Sequence, residues 1–153
     1  MPNSFRFGHV IIKKSQIFHT TKTTFACVNI SPIVPGHILI CPKREVKRYH
    51  DLTDNEISEM FISARKIGST LEKHFNRTAL TFGLQDGVDS GQSVEHVHLH
   101  VLPRIKGDFE RKEDIYRELR DDRKAMERGE RKLRSIEEMA EEADIFRKLL
   151  IQE

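Results

Sequence analysis

His96-Val97-His98-Leu99-His100-Val101-Leu102 sets three histidines in strict alternation with apolar residues. A period of two is that of a β-strand, where successive side chains point to opposite faces. His96, His98 and His100 therefore share one face. Val97, Leu99 and Val101 share the other, where they can anchor a core. A face of three imidazoles can donate, accept, attack or ligate near neutral pH.

Leu80 to Gln85 reads as the strand before this one, joined to it by a polar loop that runs from Asp86-Gly87 through Gln92. Pro103 is expected to end the histidine strand. Further upstream, Phe7 to Lys13, Phe25 to Asn29 and His37 to Pro42 are rich in β-formers, and Pro32-Ile33-Val34-Pro35-Gly36 is a turn signal between two of them. Thr53 and Glu56 have capping-box spacing and open a helix over 54–75. Its apolar stripe is Ile57, Met60, Phe61, Ala64, Ile67, Leu71 and Phe75, a face suited to packing on a sheet. Ser135 and Glu138 repeat the capping spacing, and Ile136, Met139, Ala143, Phe146 and Leu150 predict a docked C-terminal helix. Short connections favour antiparallel pairing. The expected architecture is α+β: an antiparallel sheet of about five strands, a long packed helix and a C-terminal helix.

At 153 residues the chain is most simply one domain, with enough length for a real core. Three segments are expected: a core over 1–110, a charged and mobile or loosely helical segment over 111–134 that lies outside the core, and the docked helix over 135–153. Residues 1–110 hold 14 Lys/Arg and 11 Asp/Glu, so no strongly basic domain suggests binding to a nucleic-acid polymer. The mild positive bias suits a small anion. Met1 to Arg6 has no long apolar run of the secretory kind, and no stretch approaches a membrane span. Cys27 and Cys41 sit in apolar runs and read as buried reduced thiols of a cytosolic protein. A cytoplasmic location is expected, with nuclear entry open to a chain this small.

Three readings of the histidine face are open. The rings can simply pack. Two at i and i+2 can ligate zinc, although no Cys-x-x-Cys pair or carboxylate accompanies them. Or one neutral ring nitrogen can attack phosphorus, forming a phosphoramidate and splitting one displacement into two easier ones. The last reading needs donors for the anionic transition state. Gly91-Gln92-Ser93-Val94 and Gln85 can supply them from backbone N–H, amide and hydroxyl groups.

The run from His96 to Leu102 matches the histidine–apolar–histidine–apolar–histidine–apolar–apolar signature of the histidine triad superfamily. The longer stretch from Leu84 through Gln85-Asp86-Gly87 and Gly91-Gln92-Ser93-Val94 to Phe109 resembles the fragile histidine triad branch. So do Ser4-Phe5-Arg6-Phe7-Gly8, Asn29, Val34-Pro35-Gly36-His37 and the ending over 135–143. The resemblance spans nearly the whole chain.

This resemblance implies a dinucleoside polyphosphate hydrolase that cleaves diadenosine triphosphate to AMP and ADP through a covalent nucleotidyl-histidine. It implies His98 as nucleophile, His96 as organiser of the ring network, and His100 as a contact to the α-phosphate. Gln85 would hold phosphate or ribose and influence leaving-group departure. Gly91, Gln92, Ser93 and Val94 would line the phosphate path, Asn29 would bind ribose, and His37 would support the site or cap its turn. Phe7 and Val10 would border the nucleobase, with Phe7 equally readable as core. It further implies a homodimer with a sheet continuous across subunits, and Mg2+ or Mn2+ arriving as the substrate chelate, with no metal held by the protein. His9, His19, His50 and His74 match no motif and read as surface or packing residues. Tyr116 stands where the family has a tyrosine; it reads as an exposed loop residue, with phosphorylation a hypothesis for mass spectrometry of native protein, which a consistently unmodified Tyr116 would refute. Two other functions stay open: a nucleoside phosphoramidate hydrolase with an amine leaving group, and a signalling adaptor whose output is the nucleotide-bound state.

Overall fold

The computed structural model describes residues 4–152, so Met1-Pro2-Asn3 of the opening and Glu153 of the C-terminal segment lie outside it. Among the described residues, seven strands and four α-helices are arranged around one central sheet. The strands are β1 (Ser4–Phe7), β2 (Val10–Lys13), β3 (Ile17–Thr20), β4 (Thr24–Val28), β5 (Ile38–Pro42), β6 (Ala79–Leu84) and β7 (Leu99–Arg104). The helices are α1 (Asp54–His74), α2 (Asp114–Arg120), α3 (Asp122–Glu127) and α4 (Ile136–Ile151). The central sheet is five-stranded and antiparallel, in the order β3-β4-β5-β7-β6.

One face of the sheet carries the main core. Val97, Leu99 and Val101 point into it, with Ile38 and Ile40 from β5, Met60, Ala64, Ile67 and Leu71 from α1, and Met139, Ala143 and Phe146 from α4. The reciprocal box of Thr53 and Glu56 caps α1. At α4, Ser135 accepts from the Glu138 N–H, but the Glu138 carboxylate turns to Lys132 instead, so only half of that box forms. Two residues leave their expected stripes: Phe61 is 42% exposed and Ile136 is 44% exposed. Each lies at the margin of its stripe.

The opposite face is covered from two ends. The run over 7–13 is not one strand: Gly8, at φ +59°, turns the chain and β1 pairs back on β2. A side chain at Gly8 would meet Val94 Cγ1 at 2.6 Å, so the hairpin lies directly on the loop before the histidines. Phe7 and Ile12 pack there with Phe25, Cys27, Leu39 and Cys41. The other end is covered by the 111–134 segment, which forms α2 and α3 and does not stay outside the core. Ile115 and Leu119 are buried against Val34 and Leu102, and Ala125 is buried as well. The correction has a simple cause: a few apolar residues at helical spacing are enough to seat a charged helix.

Pro103 does not end β7 either. It pairs with Leu80 of β6, while the ladder to β5 stops at Val101, so proline's missing N–H faces no second strand. Cys27 and Cys41 are buried and unbridged. Among the described residues, no helix is long and apolar enough to cross a membrane.

Candidate active site

Between the hairpin and the α2–α3 wall a cavity of about 260 Å³ opens onto the histidine face. Of the residues singled out in the sequence, Phe7, Val10, Asn29, Gln85, Ser93, Val94, His98 and His100 all line it. His96 and Gln92 instead line an adjoining groove of about 680 Å³, which shares Ser93 with the cavity. His37 sits behind His100, fully buried. Gly91 lies beside Gln85: at φ +97° it accepts a conformation costly for other residues, and a Cβ there would come within 2.7 Å of the Gln85 amide nitrogen.

The alternation holds, but the ladder to β5 begins only at Leu99. His96 and His98 precede it, because Pro42 ends β5 and offers only its carbonyl. That carbonyl accepts from His96 Nε2 at 2.9 Å. The Val97 N–H is satisfied by Val46 O at 2.7 Å.

Carbonyl oxygens only accept, so these contacts decide the tautomers. His98 Nδ1–H donates to His96 O at 2.7 Å, which leaves Nε2 of His98 as an unprotonated lone pair on a ring that lines the cavity. A second chain of contacts orients His100. The Ile33 N–H donates to His37 Nδ1 at 3.1 Å, so the His37 proton is on Nε2 and is donated to His100 Nδ1 at 2.9 Å. His100 therefore carries its own proton on Nε2, as a donor. The Asn29 amide nitrogen, 3.4 Å from His37 Nε2, faces another donor and makes no bond there. Its oxygen accepts from the Ser31 N–H, so the amide N–H groups are left for a ligand oxygen.

The rings are tightly enclosed. Phe7 meets His98 edge-on at 5.0 Å, and His98 meets His100 at 5.1 Å. Burial is the largest cause holding all four imidazoles neutral. It lowers His96 and His98 against the opposing effect of their carbonyl contacts. It lowers His100 well below the ordinary value, with His98 and His37 adding to the shift. It takes His37 down to about 3, with Arg131, His98 and Arg134 as further causes. The site thus presents neutral, oriented imidazoles, with the Nε2 lone pair of His98 unspent.

The loop over 86–92 is held by its own side chains. Asp86 accepts from the Tyr49 N–H at 2.8 Å and from Arg48 Nε at 2.9 Å. The Gln92 amide accepts from the Gly87 N–H at 2.7 Å and donates to Lys47 O and Val94 O. Gln92 therefore shapes the loop, and its side chain is not free to act as a phosphate donor.

Several cavity residues escape sequence reasoning. Leu119, Asp122, Arg123 and Met126 form the α2–α3 wall, and His9, Ile12, Gln16 and Ile30 line the cavity as well, beside Cys27, Val28 and Leu39 of the sheet. A faint signal exists: Ile115, Leu119, Asp122 and Met126 recur at spacings of four, three and four. Arg131 joins the wall to the site, pairing with Asp122 and Glu118 and donating to Ser31 Oγ at 3.3 Å. Arg134 donates to Asn29 O and pairs with Glu142 of α4.

The HIT domain profile matches residues 12–107. The chain is 47% identical over 94% of its length to the bis(5'-adenosyl)-triphosphatase of Dictyostelium discoideum, covering 91% of that protein. It is 42% identical over 96% of its length to the bifunctional bis(5'-adenosyl)-triphosphatase/adenylylsulfatase FHIT of Arabidopsis thaliana, covering 84% of it. Its fold superposes with a TM-score of 0.81 on the crystal structure of Plasmodium falciparum diadenosine triphosphate hydrolase in complex with cyclomarin A, at 29% identity, covering 100% of this chain and 88% of that one. By its signature, its fold and these relatives, the chain belongs to the histidine triad (HIT) family.

Proposed function

We propose that this protein hydrolyses dinucleoside polyphosphates, diadenosine triphosphate foremost, to AMP and ADP through a nucleotidyl-His98 intermediate. The observation that carries the reading is the His98 tautomer: Nδ1–H is spent on His96 O, and Nε2 is a lone pair. The names of its relatives in Dictyostelium, Arabidopsis and Plasmodium support the substrate class.

In the first step His98 Nε2 bonds to the α-phosphorus while the bond from that phosphorus to the bridging oxygen breaks. The electron pair leaves with ADP. The ring becomes cationic, and the His96 carbonyl on Nδ1–H stabilises that charge. His100 Nε2–H and the Gln85 amide are the donors for the phosphoryl oxygens. In the second step water attacks phosphorus, the P–N bond breaks, AMP leaves, and a water proton passes to solvent. Asn29 would hold the ribose, and Phe7 and Val10 would border the base.

Mg2+ or Mn2+ would enter on the polyphosphate and neutralise charge on the departing diphosphate. Imidazole, amide and hydroxyl groups face the α-phosphate position, and the one carboxylate lining the cavity, Asp122, is held by Arg131.

A homodimer is part of the proposal. β6 is an edge strand of the sheet, and its Phe82 is 45% exposed, which supports pairing with a second copy. Cytoplasmic residence is also proposed, supported by the unbridged thiols.

The test is turnover of diadenosine triphosphate and magnesium in oxygen-18 water. Label in AMP, unlabelled ADP and no turnover by His98→Asn are expected. Tight binding without turnover by the intact protein would overturn the proposal.

A further inference from the structure

The cavity and the groove beside it share a wall, and one side chain with a permanent charge stands in that wall. Arg123 of α3 lines both spaces. Among the described residues, no other arginine or lysine lines the cavity that holds His98 and His100. Its guanidinium is already aimed: Nη1 donates to Ser93 O at 3.1 Å, and Nε donates to Glu127 at 3.1 Å. Nη2 has no partner among the described residues, so one end of the fork remains open. Ser93 lies on the phosphate side of the cavity, in the loop that leads into the histidines.

The balance of charge makes this position matter. His37, His98 and His100 are buried and neutral, and Gln85, Ser93 and Asn29 are neutral donors. They suit an α-phosphate but leave the rest of a polyphosphate chain uncompensated. With one nucleoside in the apolar cavity and its α-phosphorus at His98, the remaining chain must leave past Ser93 into the groove. That groove also carries Arg6 and Lys47, paired with Glu45 and Glu95 as Arg123 is with Glu127, but neither reaches the cavity that holds the histidines. Arg123 is the cation at the junction, where charge accumulates on the departing diphosphate as the P–O bond breaks.

We propose that Arg123 is a leaving-group clamp: its free Nη2 binds the β-phosphate of the polyphosphate and selects substrates whose leaving group is anionic. The inference rests on the dinucleoside polyphosphatase reading and names the residue that gives it specificity for a charged leaving group. A phosphoramidate, which loses a neutral amine, has nothing for this fork to bind.

The test measures kcat/KM for diadenosine triphosphate in the unmutated protein, Arg123→Ala and Arg123→Lys, with the inhibition constant of AMP in each. AMP occupies the nucleoside and α-phosphate positions only, so it reports whether cavity and loop are intact. Arg123→Ala should lose about 10- to 100-fold in kcat/KM, the size of one exposed charge-assisted contact. AMP inhibition should stay within about twofold, and Arg123→Lys should recover part of the loss, as a point charge without the fork. Unchanged kcat/KM in Arg123→Ala would overturn the clamp. So would a parallel loss of AMP affinity, which would make Arg123 a post for the Ser93 loop. Failure of the unmutated protein to cleave diadenosine triphosphate would instead overturn the reading of function, and the clamp with it.

Discussion

Replacing His37 by glutamine should flatten the loss of stability on acidification. His37 is fully buried, and its pKa is pushed down to about 3, first by desolvation and then by Arg131, His98 and Arg134. In the unfolded chain it returns to the ordinary value of 6.5. Between those values the unfolded state binds a proton that the folded state refuses. The stabilisation is therefore complete above pH 6.5 and is lost as pH falls from 6.5 towards 3. At about 1.4 kcal/mol per unit, acidification from pH 7 to pH 5 should cost about 2 kcal/mol through this group alone. His37→Gln removes the titration while keeping an amide donor for His100 Nδ1. It also costs stability at pH 7, because a ring is lost from a closed site, but that cost cancels in the comparison between pH values. The assay is urea denaturation of both proteins at pH 7 and pH 5, at one fixed protein concentration. The variant's loss should be smaller than the parent's by about 2 kcal/mol, with His96, His98 and His100 titrating in both. Equal losses would refute the claim that His37 is held neutral by burial, and with it the direction of the His37–His100 hydrogen bond.

The acid limb of kcat/KM should lie below pH 6.5, since desolvation lowers His98 and His100 and only the neutral His98 attacks; a limb centred above 7 would contradict this. Gln85→Ala should lower the rate by about 100-fold in kcat. Gly91→Ala should lower it in the same direction, because its Cβ enters the space of the Gln85 amide. The double variant should then be little slower than Gln85→Ala, and additive losses in kinetics would separate the two residues. Ile115→Ala should cost about 2–4 kcal/mol in denaturant unfolding, as a fully buried side chain does; a change below about 0.5 kcal/mol would return 111–134 to a surface excursion. Light scattering at micromolar concentration should give the mass of two chains, and a monomer would remove the proposed pairing through β6.

The sheet, α1 and the face of the three histidines were legible in the residues alone, because each rests on a local period. Alternation at 96–102 assigns sides to a strand, and the capped stripe after Thr53 assigns a face to a helix. The same periods mislead at margins. Phe61 and Ile136 fit their stripes but stay exposed at the stripes' margins. Pro103 looks like a stop and is tolerated because the ladder to β5 reaches only as far as Val101. The α2–α3 wall was hidden because its burial rests on a handful of apolar residues in a run of charge, and their partners, Val34 and Leu102, lie elsewhere in the chain.

By itself the sequence determined that three imidazoles share a face beside a glycine- and amide-rich loop, a pattern that resembles the histidine triad family and from which His98 is proposed as the attacking residue. Tertiary structure alone decided which nitrogen of each ring carries the proton. Pro42 O, His96 O and the Ile33 N–H make that choice; Pro42 lies 54 residues from the ring it sets, and the relay that Ile33 starts at His37 reaches His100 across 63 residues. It also decided that Arg123 stands at the mouth of the cavity. A tautomer and a charge at a junction depend on which distant groups meet, and that meeting is a property of register and packing rather than of any local pattern.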